Sequence, residues 1–314
     1  MSKMLNLSAN PHVRDNITTS AIMRDVVIAM IPTALYGIAQ WGTNAALVVI
    51  LTTLAAVLAE FVYEKLMKLP ITIGDFSAAV TGLILALNCP PDIPVWIPIL
   101  GAVFAIIIVK QLYGGLGCNF MNPALAARCF LLISFAGKMT SFTGVGVDAT
   151  SSATPLALLK AGGETQNLAA MFLGRIPGTI GEVSKLCLLI GALYLIVRKV
   201  ISPKIPLIYI ATVAVFTLIF GGRGFDLYYV ACEICGGGLI FGAFFMATDY
   251  VTSPITPNGQ IVFAVILGLL TGIFRLFGGS AEGVSYAIIL TNILVPTINK
   301  LTIPKAFGRE GEKK

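Results

Sequence analysis

Hydrophobic positions in this chain do not alternate with polar ones; they run on without a break. Ten apolar runs can be traced, at 25–41, 44–63, 76–93, 95–113, 120–137, 183–198, 205–221, 228–247, 259–276 and 284–302. A helix that crosses a bilayer needs about 20 apolar residues. Barrel strands would instead show short alternating segments. The runs therefore predict transmembrane helices, with the third and fifth the most interrupted by polar or small residues. Before the first run, MSKMLNLSANPHVRDNITTS is polar and lacks a basic region leading into a short apolar core. No cleaved signal peptide is expected, and the first span is expected to act as its own insertion signal.

Two local echoes suggest a repeat. The fourth run ends in Gln111-Leu-Tyr-Gly-Gly115 and the ninth in Arg275-Leu-Phe-Gly-Gly279. Gly82-Leu-Ile-Leu-Ala-Leu in the third is matched by Gly238-Leu-Ile-Phe-Gly-Ala in the eighth. The order is preserved and the spacing nearly so, as expected of an internal duplication. Five helices is an odd number, so a second copy would be inverted in the membrane. The expected fold is an all-α integral membrane protein of about ten transmembrane helices in two inverted five-helix repeats. The expected organisation is a cytoplasmic segment at 1–24, a first membrane repeat at 25–137 and an outer loop at 138–182. A second repeat at 183–302 and a basic tail at 303–314 follow.

Composition agrees with a membrane location. Apolar residues make up 57% of the 314 and charged residues only 11%, with a mean hydropathy of +0.90. Soluble domains are about one-quarter charged, so this chain cannot coat a water-facing surface. The net charge of +6 does not imply nucleic-acid binding, because the cations sit at the ends and in short loops. Lys3, Arg14, Arg24, Lys65, Lys68, Lys110, Arg198, Lys199, Lys204, Lys300, Lys305, Arg309, Lys313 and Lys314 fall on one side of the expected topology. The positive-inside rule then puts both termini in the cytoplasm, as in a multi-pass protein of a bacterial or archaeal cytoplasmic (inner) membrane.

Few residues at membrane depth could do chemistry. Arg128 lies mid-run in NPALAARCF, where an isolated Arg costs about 2.5–3.5 kcal/mol on insertion scales. It must meet a partner, a polar cavity or a bound anion, and a functional reading is as well supported as an Arg–Glu strut. Glu233 lies about a turn inside the eighth run. Glu60, Asp75, Lys110, Asp249 and Arg275 lie near run ends, where they can snorkel or meet water. Cys232-Glu-Ile-Cys235 supplies two thiols, whereas a four-sulfur metal site needs four, and there is no second CxxC. The single His12 cannot make a typical zinc site. No metal site and no catalytic residue are expected. Asn122 and Pro123 read as the cap and first turn of a helix.

The long loop carries the most specific pattern, Asp148-Ala-Thr-Ser-Ser-Ala-Thr154-Pro155. It matches the flavinylation consensus, in which an Asp is followed six residues later by a Thr after Ser/Thr, a small residue and Ala. A flavin transferase there joins FMN through its phosphate to the Thr hydroxyl, which needs an accessible acceptor among small neighbours. Ala149 and Ser152 stand where Gly is frequent, and both are small. Thr154 is thus the candidate attachment site, with Asp148, Ser151 and Ala153 as recognition frame. Arg128, at membrane depth, is counted with them as a candidate cofactor-binding residue. Pro155 biases Thr154 towards extended backbone.

Several stretches carry a family resemblance: NPHVRDNITTSAIMRDVVIAMIPTALYGI, DFSAAVTGLILALNCPPDIPVW, KQLYGGLGCNFMNPALAARCFLL, DATSSATPLA and ATDYVTSPITPNGQ. The chain resembles the RnfD family, membrane components of the Rnf complex, the ion-translocating ferredoxin:NAD oxidoreductase. That family is homologous to NqrB of the sodium-pumping NADH:quinone oxidoreductase. The short stretch before the first run is closer to the Rnf form. The resemblance implies a membrane electron-transfer subunit bearing covalent FMN on Thr154, with riboflavin as a second, noncovalent flavin. It implies the other Rnf subunits (A, B, C, E and G), a flavin transferase, membrane lipid and Na⁺ or H⁺ as partners. Activity belongs to the complex rather than to this chain alone, which has neither an NAD fingerprint nor a ferredoxin-type cysteine run. The competing class is a five-plus-five small-solute transporter or channel without a redox cofactor, and the Thr154 motif separates the two.

Overall fold

The computed structural model describes residues 17–142, 154–161, 167–182, 184–279 and 283–304. The described chain is helical. Along it run α1 (Thr19–Trp41), α2 (Thr43–Leu66), α3 (Ser77–Leu87), α4 (Trp96–Tyr113), α5 (Pro123–Ser134), α6 (Pro155–Lys160) and α7 (Leu168–Leu173). These are followed by α8 (Lys185–Val197), α9 (Lys204–Phe220), α10 (Leu227–Cys235), α11 (Leu239–Met246), α12 (Pro257–Phe277) and α13 (Val284–Thr302).

The all-α expectation holds, but the expectation of ten transmembrane helices in two inverted five-helix repeats is overturned. Among the described residues five helices are long and apolar enough to cross a membrane: α1, α2, α4, α12 and α13. The pair α10–α11, bent by 65°, makes a sixth if it counts as one broken span. The expected third, fifth and sixth spans are helices of 11, 12 and 13 residues. At 1.5 Å per residue these reach about 17–20 Å, short of a ~30 Å hydrocarbon core. Apolar character alone ran through places where the backbone turns. α3 stops at Asn88, α5 stops at Phe135, and Gly236–Gly238 breaks the eighth run.

Polar caps define the helix starts. Asn122, Thr154 and Thr256 each accept from a backbone N–H of the turn that follows, and each precedes a proline in the first turn. Proline loses nothing there, because that N–H has no helical partner. Asp226 and Ser184 cap α10 and α8 in the same way. Asn122 was legible as a cap from sequence.

Small residues set the packing. A Cβ on Gly191 of α8 would collide with the Ala29 carbonyl oxygen of α1. One on Gly82 of α3 would lie 2.8 Å from Thr53 Cα of α2, and one on Gly272 of α12 would collide with the Phe216 ring of α9. Such close approach replaces the hydrophobic drive that is absent in lipid. The resulting core is one cluster drawn from α1–α5, α8, α9 and α11–α13, with a small second cluster of Leu159, Met171, Ile176, Tyr229 and Cys232 beneath α6 and α7.

Cross-links define the two ends of the bundle. At one end Tyr36 and Gln40 donate to the carbonyls of Leu173 and Gly174, and Asn44 donates to that of Pro91. At the other Ser20 donates to the Gly74 carbonyl and Arg198 pairs with Asp25 at 3.1 Å. The segment ahead of α8 re-enters the first end. Its Ile180 and Gly181 N–H groups donate to Cys89 and Leu87 carbonyls (3.0 and 2.7 Å), capping the end of α3 inside the protein.

Candidate functional site

Thr154 sits at that first end. Its backbone is extended (φ −64°, ψ 151°), as the following proline requires, and its hydroxyl accepts from Ala157 N–H at 3.3 Å. The residue is half-buried. Helix α6 fastens it to the bundle: Leu156 and Leu159 are buried, and Lys160 donates to the Gly278 carbonyl at the end of α12. Leu156 also packs on Gly236, where a Cβ would come within 3.2 Å of its Cδ1. The hydroxyl is therefore presented on a cap turn whose next turn is anchored. Asp148, Ser151 and Ala153 lie outside the described residues, as does His12.

A cleft of about 330 Å³ opens beside α6, between it and the ends of α9, α10 and α12. Phe220, Leu276 and Phe277 form an apolar part of its wall; Lys160, Arg223, Glu233 and Arg275 form a polar part. The Arg223 guanidinium stacks over the Tyr229 ring at 5.0 Å, a cation–π contact. Arg275 is 3% exposed, which overturns its expected snorkelling. It donates to the Glu233 and Gly236 carbonyls (2.5 and 3.0 Å) and pairs with the Glu233 carboxylate at 3.5 Å. Those carbonyls are left without helical partners by the break at Gly236–Gly238, and Lys185 donates to the next one, Gly237, at 3.0 Å.

Arg128 lies in a polar layer below. It is 4% exposed and donates to Asn88 (2.7 Å) and Ser285 (3.0 Å), with Glu182 at 3.6 Å. It thereby links α5 to the end of α3, the start of α13 and the re-entrant segment. Glu182 also faces Gly238, where a Cβ would come within 2.5 Å of its Oε1. Arg128 does not line the cleft beside α6. Sequence reading missed Glu182 and Lys185, which fall at the edge of an apolar run, and missed the cleft, whose walls come from four separate segments.

The family model described as "NQR2, RnfD, RnfE family" matches residues 6–308. The chain belongs to that family. It is 46% identical over 97% of its length to the D component of the Na(+)-translocating ferredoxin:NAD(+) oxidoreductase complex of Acetobacterium woodii, of which 95% is covered. It is 43% identical, again over 97%, to the D component of the proton-translocating ferredoxin:NAD(+) oxidoreductase complex of Clostridium ljungdahlii, with 96% of that protein covered. The D component of the ion-translocating oxidoreductase complex of Actinobacillus succinogenes is 34% identical, with 97% of the chain and 98% of that protein covered.

In this family member the opposite end of the bundle holds a second cleft, of about 80 Å³, among α1, α3, the start of α5 and the turn after α11. Lys110, Asn119, Asn122 and Asp249 bring polar atoms to its wall, as do Ser77, Thr81 and Tyr250. Lys110 is not a loop charge. It is 2% exposed and pairs with fully buried Glu60 at 2.6 Å, while Gln111 donates to the same carboxylate at 2.8 Å. A π turn over Phe104–Lys110 turns it inwards. Withdrawal from water pushes the Asp249 carboxyl above the ordinary range, against hydrogen bonds from Thr252 (2.9 Å) and the Val251 N–H (3.5 Å) that favour its ionised form.

Proposed function

We propose that this chain is the electron-carrying membrane subunit of an Rnf-type ferredoxin:NAD⁺ oxidoreductase that moves Na⁺ or H⁺, and that it bears FMN as a phosphoester on Thr154. Family membership over residues 6–308 supports the complex. The single observation that carries the flavin assignment is Thr154 itself, the closing residue of the flavinylation pattern, held extended and half-buried on an anchored cap turn. Asp148, Ser151 and Ala153 are the frame a flavin transferase reads.

When bound, FMN supplies electron transfer. The chain's part is to hold and orient it: α6 fixes the attachment point, and the apolar wall of the cleft beside it excludes water. Arg128 acts as a positioning group, holding Glu182 and with it the segment that returns from the Thr154 end into the bundle. A noncovalent riboflavin is the second flavin of this reading. The partners are RnfA, RnfB, RnfC, RnfE and RnfG, since the sequence carries neither an NAD fingerprint nor a ferredoxin-type cysteine run. The protein lies in the cytoplasmic membrane with both termini inside and the Thr154 end outside, as the distribution of cations supports.

Two variants separate attachment from capping. Thr154→Ala removes both the hydroxyl and the cap, at about 0.5–2 kcal/mol to the helix end. Thr154→Asn keeps a capping oxygen but offers no hydroxyl. Both variants should insert yet lose in-gel flavin fluorescence when co-expressed with the transferase. Fluorescence retained in Thr154→Asn would reject Thr154 as the attachment site.

A further inference from the structure

We propose that the cleft between α6 and the ends of α9, α10 and α12 is the seat of the isoalloxazine ring carried at Thr154, with Tyr229 against the ring and Arg223 as the cation that tunes it. This rests on Thr154 bearing FMN. Three observations lead to it. The first is reach. Leu156, Leu159 and Lys160 line the cleft and lie on the helix that Thr154 caps. From cap to Lys160 is about 9 Å at 1.5 Å per residue, and a ribityl phosphate arm reaches across that span.

The second is complementarity. Isoalloxazine is a flat ring system with a methylated apolar edge and a polar pyrimidine edge. The cleft has a matching division, with Phe220 and Phe277 on one part of its wall and Lys160, Arg223, Arg275 and the Arg275-paired Glu233 on another. Its volume of about 330 Å³ falls in the range of small-molecule sites, roughly 300–1,000 Å³. The third is an aromatic ring fixed in the cleft wall. Tyr229 is 5% exposed and closely supported, since a Cβ on Gly221 would sit 2.8 Å from its ring. Arg223 covers that ring, so a flavin entering beside Tyr229 meets a guanidinium as well.

The chemistry follows from charge. Reduction adds electrons to the ring, and a nearby cation stabilises the more negative reduced form more than the oxidised one. Charge beside the ring is one of the means by which a protein sets a flavin's potential. Arg223 therefore raises the potential of the flavin at this end. Tyr229, an electron-rich phenol in contact with the ring, shortens the lifetime of flavin fluorescence.

The test uses the full chain, flavinylated by co-expression and purified in detergent, as wild type and as Tyr229→Leu, Arg223→Gln and Lys300→Gln. Peptide mass mapping first establishes FMN on Thr154 in each. Time-resolved fluorescence of the folded protein should then show a longer lifetime in Tyr229→Leu. Redox titration should show a lower midpoint potential in Arg223→Gln, while Lys300→Gln, at the other end of the bundle, leaves it unchanged. A tenfold loss of preference for the reduced form reads as about 30 mV for a two-electron couple. If FMN is on Thr154 in every variant but lifetime and potential match wild type, the ring sits elsewhere and the inference is overturned while the attachment stands. If the wild-type chain has no FMN on Thr154, the attachment fails and this inference falls with it. Arg223 is exposed at the surface, so its variant reports even if Tyr229→Leu does not fold.

Discussion

Arg128 and Glu182 show what a buried charge does in this protein. The pair stands 3.6 Å apart with 5% and 3% of each side chain exposed, and the guanidinium also donates to Asn88 and Ser285. Breaking a buried ion pair by removing one member typically costs about 3–5 kcal/mol. Arg128→Leu is therefore expected to lower the thermal unfolding midpoint in detergent, followed by circular dichroism, and the double variant Arg128→Leu/Glu182→Leu to recover much of it. A midpoint unchanged in Arg128→Leu would show that the pair is no strut. Arg128 was legible as a problem in the sequence, because an arginine in mid-run must have a partner. The identity of that partner was not, since Glu182 lies more than 50 residues away and only the re-entrant segment brings it close. Lys110 misled in the other direction: a lysine near the end of an apolar run looks like a topology signal, and a π turn instead buries it against Glu60.

At the scale of elements, the short helices depend on backbone contact. α1 and α8 meet where Gly191 faces the Ala29 carbonyl, with no room for a methyl group. Gly191→Ala is expected to destabilise by about 1–3 kcal/mol, as overpacking generally does, and to open the α1–α8 contact. Cysteines placed on the two helices at this crossing should cross-link readily in the parent and poorly in Gly191→Ala. Equal cross-linking in both would show that the helices adjust without cost. Helix starts were readable, because Asn122-Pro123, Thr154-Pro155 and Thr256-Pro257 combine a capping side chain with a residue suited to the first turn. Helix ends were not. α3 stops at Asn88, just ahead of Pro90 and Pro91, and residues 180–181 satisfy its last carbonyls, a contact from almost a hundred residues away that no local pattern records.

The whole molecule is a helical membrane bundle with two chemically different ends, and the electron-carrying role proposed above puts the Thr154 end outside. Leu158 is 37% exposed on α6 at that end, and native Cys118 is exposed at the other, just past α4. In intact cells a membrane-impermeant maleimide should label Leu158→Cys and leave Cys118 untouched; in inverted vesicles the pattern should reverse. Labelling of both from one side would contradict the orientation. The membrane class was plain from composition. The number of spans was not, because apolar runs that serve as short interior helices have the same residues as runs that cross lipid. What distinguishes them is where they break, and those breaks are fixed by Lys185, Arg275 and the re-entrant segment acting at a distance.

The central claim is that Thr154 carries FMN, and peptide mass mapping tests it most directly. The full chain, co-expressed with a flavin transferase and digested under conditions that preserve the phosphoester, should yield one peptide heavier by an FMN group. Fragmentation should place that mass on Thr154 and not on Thr143, Thr150, Ser151 or Ser152. An FMN mass on any of those neighbours would contradict the site, and an unmodified Thr154 peptide in the presence of active transferase would contradict the flavin-bearing role itself.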